Sequence, residues 1–538
     1  MSSHHNKKGL LREYLSDCIT SATWTDASPT HASLDPCCCS RGIQHTVLPR
    51  HLAVAQCVNK TLFESATLDG RLRPHELVDA FELDEPRSAA MKQLVLELAP
   101  TPTPKSSTPL PRLTSMMSPT YETFFLDFLV KNEPALVEGL IDLWPMKKCS
   151  KEGGWLNETG NEVDMDHLIK LYGNETVHCQ LSPTNNTKVQ LPFSEFANQW
   201  KNTNTTHPPE PPDTPDIPVA PIYLKDWHPF IIPGSEHMAS IPDLFQDDWF
   251  NEFLPTKRNV DYRFVYLGRK GTQTNLHADV MNTYSWSTNV CGRKRWLLLP
   301  PKHTHLLYDQ FAQKLAPTFH PMYYASPHND GASQTSTSAT NGADHDGDPH
   351  QCWEHNYPLL HLARPIEVLQ EAGQTIFVPS GWHHTVENID DTLSVNSNWC
   401  NATNIAWCFS DLVRSNKGMN TMLPVLRWKV DKCVARLTGV ETRKEERPTT
   451  GTTSMATTTT TSAAATMTTA QLLAAFNLQR AGAVAHSLCG VAVDGAHFTA
   501  AERHEAQRIY ELADQVLVTL KLPASSELPL LAVEKIRY

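Results

Sequence analysis

Long hydrophobic runs and a surplus of basic residues are both missing from this 538-residue sequence. No apolar stretch approaches the roughly 18 residues of a membrane span, and the N-terminal residues MSSHHNKKGLLREYLSDC contain no apolar signal core. The formal net charge is −12 and the isoelectric point is about 6.1. These absences argue against a membrane protein, a secreted protein, and a protein that binds nucleic acid through a broad positive surface.

Paired cysteine motifs are also missing. The 13 cysteines are scattered apart from Cys37–Cys39, and no C-x-x-C pair recurs, so the pattern favours neither a zinc ribbon nor a disulfide framework. We therefore expect a reduced, soluble, intracellular protein, located in the cytoplasm and compatible with the nucleus as well.

The composition shifts several times along the chain and predicts one main folded domain. Prolines number 39, and many of them stand in Ser/Thr-rich stretches that cannot build a core. The predicted segments are a partly helical N-terminal extension over 1–100, a linker over 101–119, a globular domain over 120–435 with a polar, disordered insertion over 325–357, a low-complexity linker over 436–469, and a helical segment over 470–538.

Short β-rich segments dominate the globular domain. RFVYLG covers 263–268, and the segments 285–291 and 294–299 flank Gly292-Arg293 in a pattern that predicts a β-hairpin. Two further strands are expected within 374–382 and 393–399. Because no helices alternate with these strands, the pattern favours a sheet sandwich or a double-stranded barrel.

A candidate metal site accompanies the predicted strands. Non-haem iron(II) can be held by two histidines and one carboxylate that leave one face of the metal open. His277 and Asp279 form an H-x-D pair whose side chains share one side of a strand, and the third ligand would come from His383 or His384, over 100 residues later. The competing motifs His328-Asn329-Asp330 and Asp344-His345-Asp346 lie in the polar insertion without a flanking strand, so we rank them lower.

Several motifs together resemble the JmjC oxygenases over about residues 120–435. They are N-L-H-A-D, V-C-G-R-K-R-W-L-L-L-P-P, V-P-S-G-W-H-H-T-V-E-N, Y-L-K-D-W-H and D-Y-R-F-V-Y-L-G. The resemblance implies a mainly β fold with flanking helices, built on a double-stranded β-helix core of the cupin or jelly-roll kind. It also implies Fe(II), 2-oxoglutarate as co-substrate, and O2.

The resemblance also assigns roles to residues. It implies His277, Asp279 and His384 as the iron ligands and selects His384 over His383. Lys294 would grip a carboxylate of 2-oxoglutarate. Thr274, Asn396 and Asn398 are further candidate co-substrate contacts, and Ser287 departs from the asparagine that the family often has there.

The implied activity is hydroxylation of a protein substrate, with a lysine of translation termination factor 1 as the expected target. Alternatives are a histone lysine demethylase, although no zinc-binding reader module is visible, a cupin-fold binding protein without catalysis, and a cupin-type metal-dependent isomerase that would not need Lys294. Near the C-terminus, an apolar stripe at Ile509, Leu512 and Val516 could pack in a homodimer or cap the barrel.

Overall fold

The computed structural model describes residues 112–522, except for 181–187, 203–221, 254–260, 309–313, 321–322, 324–355, 358–359, 406, 409–410, 412–418, 440–466, 491–499 and 521. The predicted extension over 1–100, most of the linker over 101–119 and nearly all of the insertion over 325–357 lie outside the described residues. The same holds for the competing metal motifs at His328 and Asp344.

Thirteen β-strands form two sheets within the described residues. The strands are β1 (Ser115–Met117), β2 (Ala135–Glu138), β3 (Thr176–Gln180), β4 (Lys188–Pro192), β5 (Tyr223–Trp227), β6 (Arg263–Gly268), β7 (Gln273–His277), β8 (Tyr284–Cys291), β9 (Lys294–Leu299), β10 (Ile366–Gln370), β11 (Thr375–Val378), β12 (His383–Asn388) and β13 (Thr392–Trp399). The nine-stranded sheet has the order β1-β2-β11-β8-β13-β6-β5-β3-β4, and the four-stranded sheet has the order β10-β9-β12-β7.

The two sheets pack face to face, which confirms the predicted mainly β class with a jelly-roll core. Apart from the parallel pair β1–β2, neighbouring strands are antiparallel. A buried apolar cluster joins Leu136 and Ile376 of the larger sheet to Trp296, Leu298 and Val386 of the smaller one. This cluster fills one part of the space between the sheets. Another part of that space is lined by polar side chains.

The predicted hairpin between residues 285–291 and 294–299 is wrong. Strands β8 and β9 do occur there, but β8 pairs with β11 and β13, whereas β9 pairs with β10 and β12. Gly292 turns the chain from one sheet to the other with a φ of +74°, and a Cβ added there would lie 2.2 Å from the carbonyl oxygen of Asp391. A short connection between two strands therefore forms a corner of the barrel here.

Strand β8 shows how the sequence separates the two faces of the larger sheet. Trp286 points away from the smaller sheet and stacks on Phe245, with their ring centroids 5.6 Å apart. The alternate residues Ser285, Ser287 and Asn289 point toward the smaller sheet, as a period of two requires. The interior between the sheets is therefore lined by short polar side chains along this strand.

Seven α-helices flank the sheets within the described residues. They are α1 (Tyr121–Phe124), α2 (Met165–Tyr172), α3 (Phe193–Asn202), α4 (Trp249–Phe253), α5 (Met419–Thr438), α6 (Thr469–Gly490) and α7 (Ala500–Thr519). The last three pack against one another. None of the described helices combines the length and the apolar character needed to cross a membrane.

The apolar stripe of α7 packs inside this chain. Ile509 and Val516 are buried in the main core, and Leu512 packs against it. The helix α7 packs against α5 and α6, and the predicted cap on the barrel stays a prediction. A homodimer remains a prediction.

Candidate active site

Three predicted metal ligands meet at one end of the barrel. One ligand atom from each of His277, Asp279 and His384 lies within 4.8 Å of the other two. His277 ends β7 and pairs directly with His384 on β12. Asp279 follows two residues later in an extended conformation (φ −62°, ψ 150°), so the alternation of side chains continues past the end of the strand.

Each of the three side chains is oriented by a hydrogen bond that leaves an atom free for a metal. The Nδ1 atom of His277 lies 2.8 Å from the carbonyl oxygen of Asn275, and that of His384 lies 3.0 Å from the carbonyl oxygen of Trp382. As N–H donors at Nδ1, both rings present an unprotonated Nε2. Ser285 Oγ donates to Asp279 Oδ2 at 2.7 Å, which leaves Oδ1 available.

The donor set suits a first-row transition metal. Burial, and then the neighbouring His384, lower the pKa of His277 well below its usual range, so its ring is neutral at physiological pH. Neutral imidazoles bind metals, and two of them with one carboxylate are typical of open iron(II) sites. Among the described residues, no other group of His, Cys, Asp and Glu side chains is arranged to hold a metal.

His383 points to the opposite side of β12. Its Nδ1 atom lies 3.2 Å from the carbonyl oxygen of Gly381 and 3.4 Å from Thr304 Oγ1. The geometry therefore presents His384 to the other two ligands and excludes His383 from them, because neighbouring residues on a strand face opposite ways.

The turn before His384 is held by Asn132. The Asn132 side chain donates to the carbonyl oxygen of Ser380 at 2.9 Å and accepts from its backbone N–H at 3.0 Å. The indole N–H of Trp382 donates to the backbone oxygen of Asn132 at 2.8 Å. These bonds fix the G-W-H-H turn and with it the direction of His384.

Lys294 reaches into the barrel interior from the start of β9. It is only 1% exposed, and its Nζ atom donates to Ser394 Oγ at 2.6 Å. Burial, and then the positive charge of Lys225, lower its pKa to about 7. Its neighbour Arg295 faces outward and pairs with Glu367 at 2.7 Å, in keeping with the predicted alternation.

Thr274 lies on the same interior surface, with its Oγ1 atom accepting a hydrogen bond from Lys225 Nζ at 2.9 Å. Lys225 was not singled out from the sequence, although it belongs to the Y-L-K-D-W-H motif. The sequence pattern that could have pointed to Lys225 is the alternation of side chains in β5, which places Tyr223 and Lys225 on one face of the strand.

The remaining predicted contacts lie along β13. Asn396 Nδ2 is 3.4 Å from the carbonyl oxygen of Phe264, and Asn398 Nδ2 donates to Thr283 Oγ1 at 3.0 Å. Asn398 stands opposite Ser285 in the sheet, nearer to Asp279 than to Lys294. Ser287, opposite Asn396, is buried, and its hydroxyl has no hydrogen-bond partner within the described structure.

These residues fit a small dianionic ligand next to a metal. Neither Lys294 nor Lys225 forms an ion pair within the described part of the chain. An unpaired buried cation and an unsatisfied buried hydroxyl are costly in an empty protein interior and become favourable beside a bound carboxylate.

The family model described as "Cupin-like domain" matches residues 121–404, which run from α1 to just beyond β13 and include every described strand except β1, and the chain belongs to this family.

Its relatives carry more specific names. The chain is 35% identical to the "2-oxoglutarate and iron-dependent oxygenase JMJD4" of Gallus gallus, over 54% of this chain and 60% of that protein. It is 33% identical to the Homo sapiens protein of the same name, over 54% of this chain and 61% of that one. It is also 31% identical to the "Arginine-specific demethylase JMJ20" of Arabidopsis thaliana, over 57% and 61%. The matched part thus spans about three fifths of the length of these relatives.

Proposed function

We propose that this protein is an Fe(II)- and 2-oxoglutarate-dependent dioxygenase that hydroxylates a protein substrate. The observation that carries the proposal is the presence, in one barrel interior, of the His277–Asp279–His384 group and the buried, unpaired Lys294. A cupin-fold binding protein or an isomerase would not need both a metal triad and a buried cation for a second ligand.

Iron and 2-oxoglutarate, when bound, supply the oxidising chemistry that lets O2 hydroxylate a C–H bond. The protein supplies binding and orientation. His277, Asp279 and His384 would hold the metal, while Lys294 and Thr274 would bind the co-substrate. The apolar cluster around Trp296 and Leu298 borders the site, since the ring centroids of Trp296 and His384 are 5.6 Å apart.

For the substrate we propose a lysine of translation termination factor 1. The resemblance to JmjC protein hydroxylases supports this choice, and the names of the relatives support the oxygenase chemistry that it requires. The net charge of −12 is compatible with a basic substrate segment. This substrate class would place the protein in the cytoplasm, and access to the nucleus is compatible with it.

A direct test supplies the purified protein with Fe(II), 2-oxoglutarate, O2 and lysine-bearing peptides of the termination factor. We expect succinate to form and the peptide mass to increase by one oxygen atom, with both signals lost in His384→Ala and retained in the matched variant His383→Ala. If no succinate forms with any peptide, and the wild type and His384→Ala behave alike, the oxygenase proposal fails.

Demethylation is the second candidate, because relatives include an arginine-specific demethylase and the "Lysine-specific demethylase JMJ21" of Arabidopsis thaliana. The same assay with methylated arginine and lysine peptides separates the two activities. Loss of a methyl group together with release of formaldehyde would favour demethylation, and a stable gain of oxygen would favour hydroxylation.

A further inference from the structure

A second lysine lies beside the co-substrate site without an assigned role. Lys225 is half-buried on β5, donates to Thr274 Oγ1 at 2.9 Å, and lies 4.6 Å above the ring of Tyr223. Burial is the main reason why its pKa falls to about 8. A lysine that only needed to reach solvent would not hold its ammonium group against a half-buried threonine and an aromatic face.

Lys225 and Lys294 each lie near one member of a packed pair of tyrosines. Lys294 Nζ is 5.8 Å from the centroid of the Tyr266 ring, and the rings of Tyr266 and Tyr223 are 5.8 Å apart in an edge-to-face arrangement. The tyrosine pair therefore connects the surroundings of the two lysines. The charge of Lys225 is also the second cause, after burial, of the lowered pKa of Lys294.

Two like charges close enough to interact destabilise the protein unless an anion joins them. The acidic residue next in the chain, Asp226, is exposed and accepts a hydrogen bond from Tyr266 Oη at 3.0 Å. Within the described structure it forms no ion pair with Lys225. The arrangement is therefore suited to a ligand with negative charge.

The distance of Lys225 and Lys294 from the metal ligands limits which ligands could contact both. Thr274 precedes His277 by three residues on β7, and Lys294 pairs with Asn388, four residues beyond His384 on β12. At about 3.3 Å per residue these positions lie roughly 10 and 13 Å along their strands from the metal ligands, and lysine side chains can reach part of the way back. A ligand that contacts both the metal ligands and the lysines must therefore be elongated, with a negative charge at the end near the lysines.

We propose that Lys225 is a second co-substrate-binding residue, which together with Lys294 and Thr274 holds the carboxylate of 2-oxoglutarate that lies farther from the metal ligands. The inference rests on the proposed function and deepens it. Lys225 thus selects dicarboxylate over monocarboxylate 2-oxoacids.

The test measures binding by titration calorimetry on the full chain loaded with Mn(II), using two probes. 2-Oxoglutarate carries the second carboxylate, and 2-oxobutyrate lacks it. We expect Lys225→Met to weaken 2-oxoglutarate binding by about 10- to 100-fold, as for the loss of one buried charge-assisted hydrogen bond, with 2-oxobutyrate binding unchanged. Lys225→Arg should restore part of the preference, and the exposed Lys270→Met serves as the charge-matched control.

The outcomes separate this inference from the proposed function. Equal weakening of both probes, or no weakening of either, in Lys225→Met overturns the role of Lys225, provided that the wild type binds 2-oxoglutarate and Lys294→Met does not. If the wild type itself binds neither probe, the proposed function fails instead. Lys225→Gln, measured alongside and checked by thermal unfolding, keeps the test decisive should the methionine variant fold poorly.

Discussion

At the scale of single residues, the choice between the adjacent histidines has a direct consequence. His384 pairs with His277, whereas His383 contacts Thr304 on the other face of β12. We predict that His384→Ala lowers the affinity for Fe(II) or Mn(II) by more than the roughly 100-fold seen when an outer partner of a ligand is lost. His383→Ala should retain metal binding. Calorimetric titration of both variants checks this, and similar losses in the two would contradict the assignment.

A second prediction concerns the hydroxyl of Ser285, whose removal should have a smaller effect on metal affinity. It orients Asp279 through a 2.7 Å hydrogen bond, so Ser285→Ala should weaken metal binding by about 10- to 100-fold without unfolding the protein. Ser397→Ala is the matched control, because Ser397 lies on the neighbouring strand and pairs with the outward-facing Trp286. Equal metal affinity in Ser285→Ala and wild type would show that Asp279 needs no such support.

Some residues of the site can be recognised in the sequence and others cannot. His277 and Asp279 are recognisable because the H-x-D spacing in an extended chain is visible in the local sequence. Ser285 and Lys225 are not, because their contacts with Asp279 and Thr274 depend on how separate strands are placed in the barrel. Such contacts have no local pattern in the chain.

At the scale of elements, Gly292 decides how β8 connects to β9. Gly292→Ala would both strain a backbone at φ +74° and place a Cβ 2.2 Å from the carbonyl oxygen of Asp391. We expect a loss of about 2 kcal/mol or more in the free energy of unfolding, measured by urea titration. Gly271→Ala provides the control, since its φ is +83° but no atom lies within 4 Å of the added Cβ. It should lose only about 1 kcal/mol.

The strands themselves were easier to predict than their partners. The segment 263–268 coincides with β6 and the segment 294–299 with β9, because β-rich runs bounded by turn residues are visible locally. Their pairing was predicted wrongly at the β8–β9 corner. A glycine turn between two strands looks the same in sequence whether the chain folds back or crosses to a second sheet.

At the scale of the whole molecule, the buried Lys294 couples stability to pH. Its pKa of about 7 in the folded state lies below the value of about 10.4 for an unfolded chain. Between these values the unfolded chain binds a proton that the folded protein does not, so stability should rise with pH from about 7 toward 10. The slope attributable to this residue is at most about 1.4 kcal/mol per pH unit.

Urea titrations at several pH values, compared between wild type and Lys294→Met, measure this contribution. The variant should show a flatter dependence on pH over that range. An unchanged slope would mean that Lys294 keeps its proton in the folded protein.

The placement of the metal ligands has a mechanical consequence for the smaller sheet. His277 ends β7, one of the two edge strands of the smaller sheet, and the pairing of β7 with β12 is irregular between His384 and Val386. A metal bound by both His277 and His384 would hold β7 to β12 where the pairing of these strands is irregular. Backbone amides of β7 should therefore exchange with deuterium faster when a chelator removes the metal, while those of β9, inside the same sheet, stay protected. The proposed catalytic centre would then also keep β7 attached at the edge of the barrel.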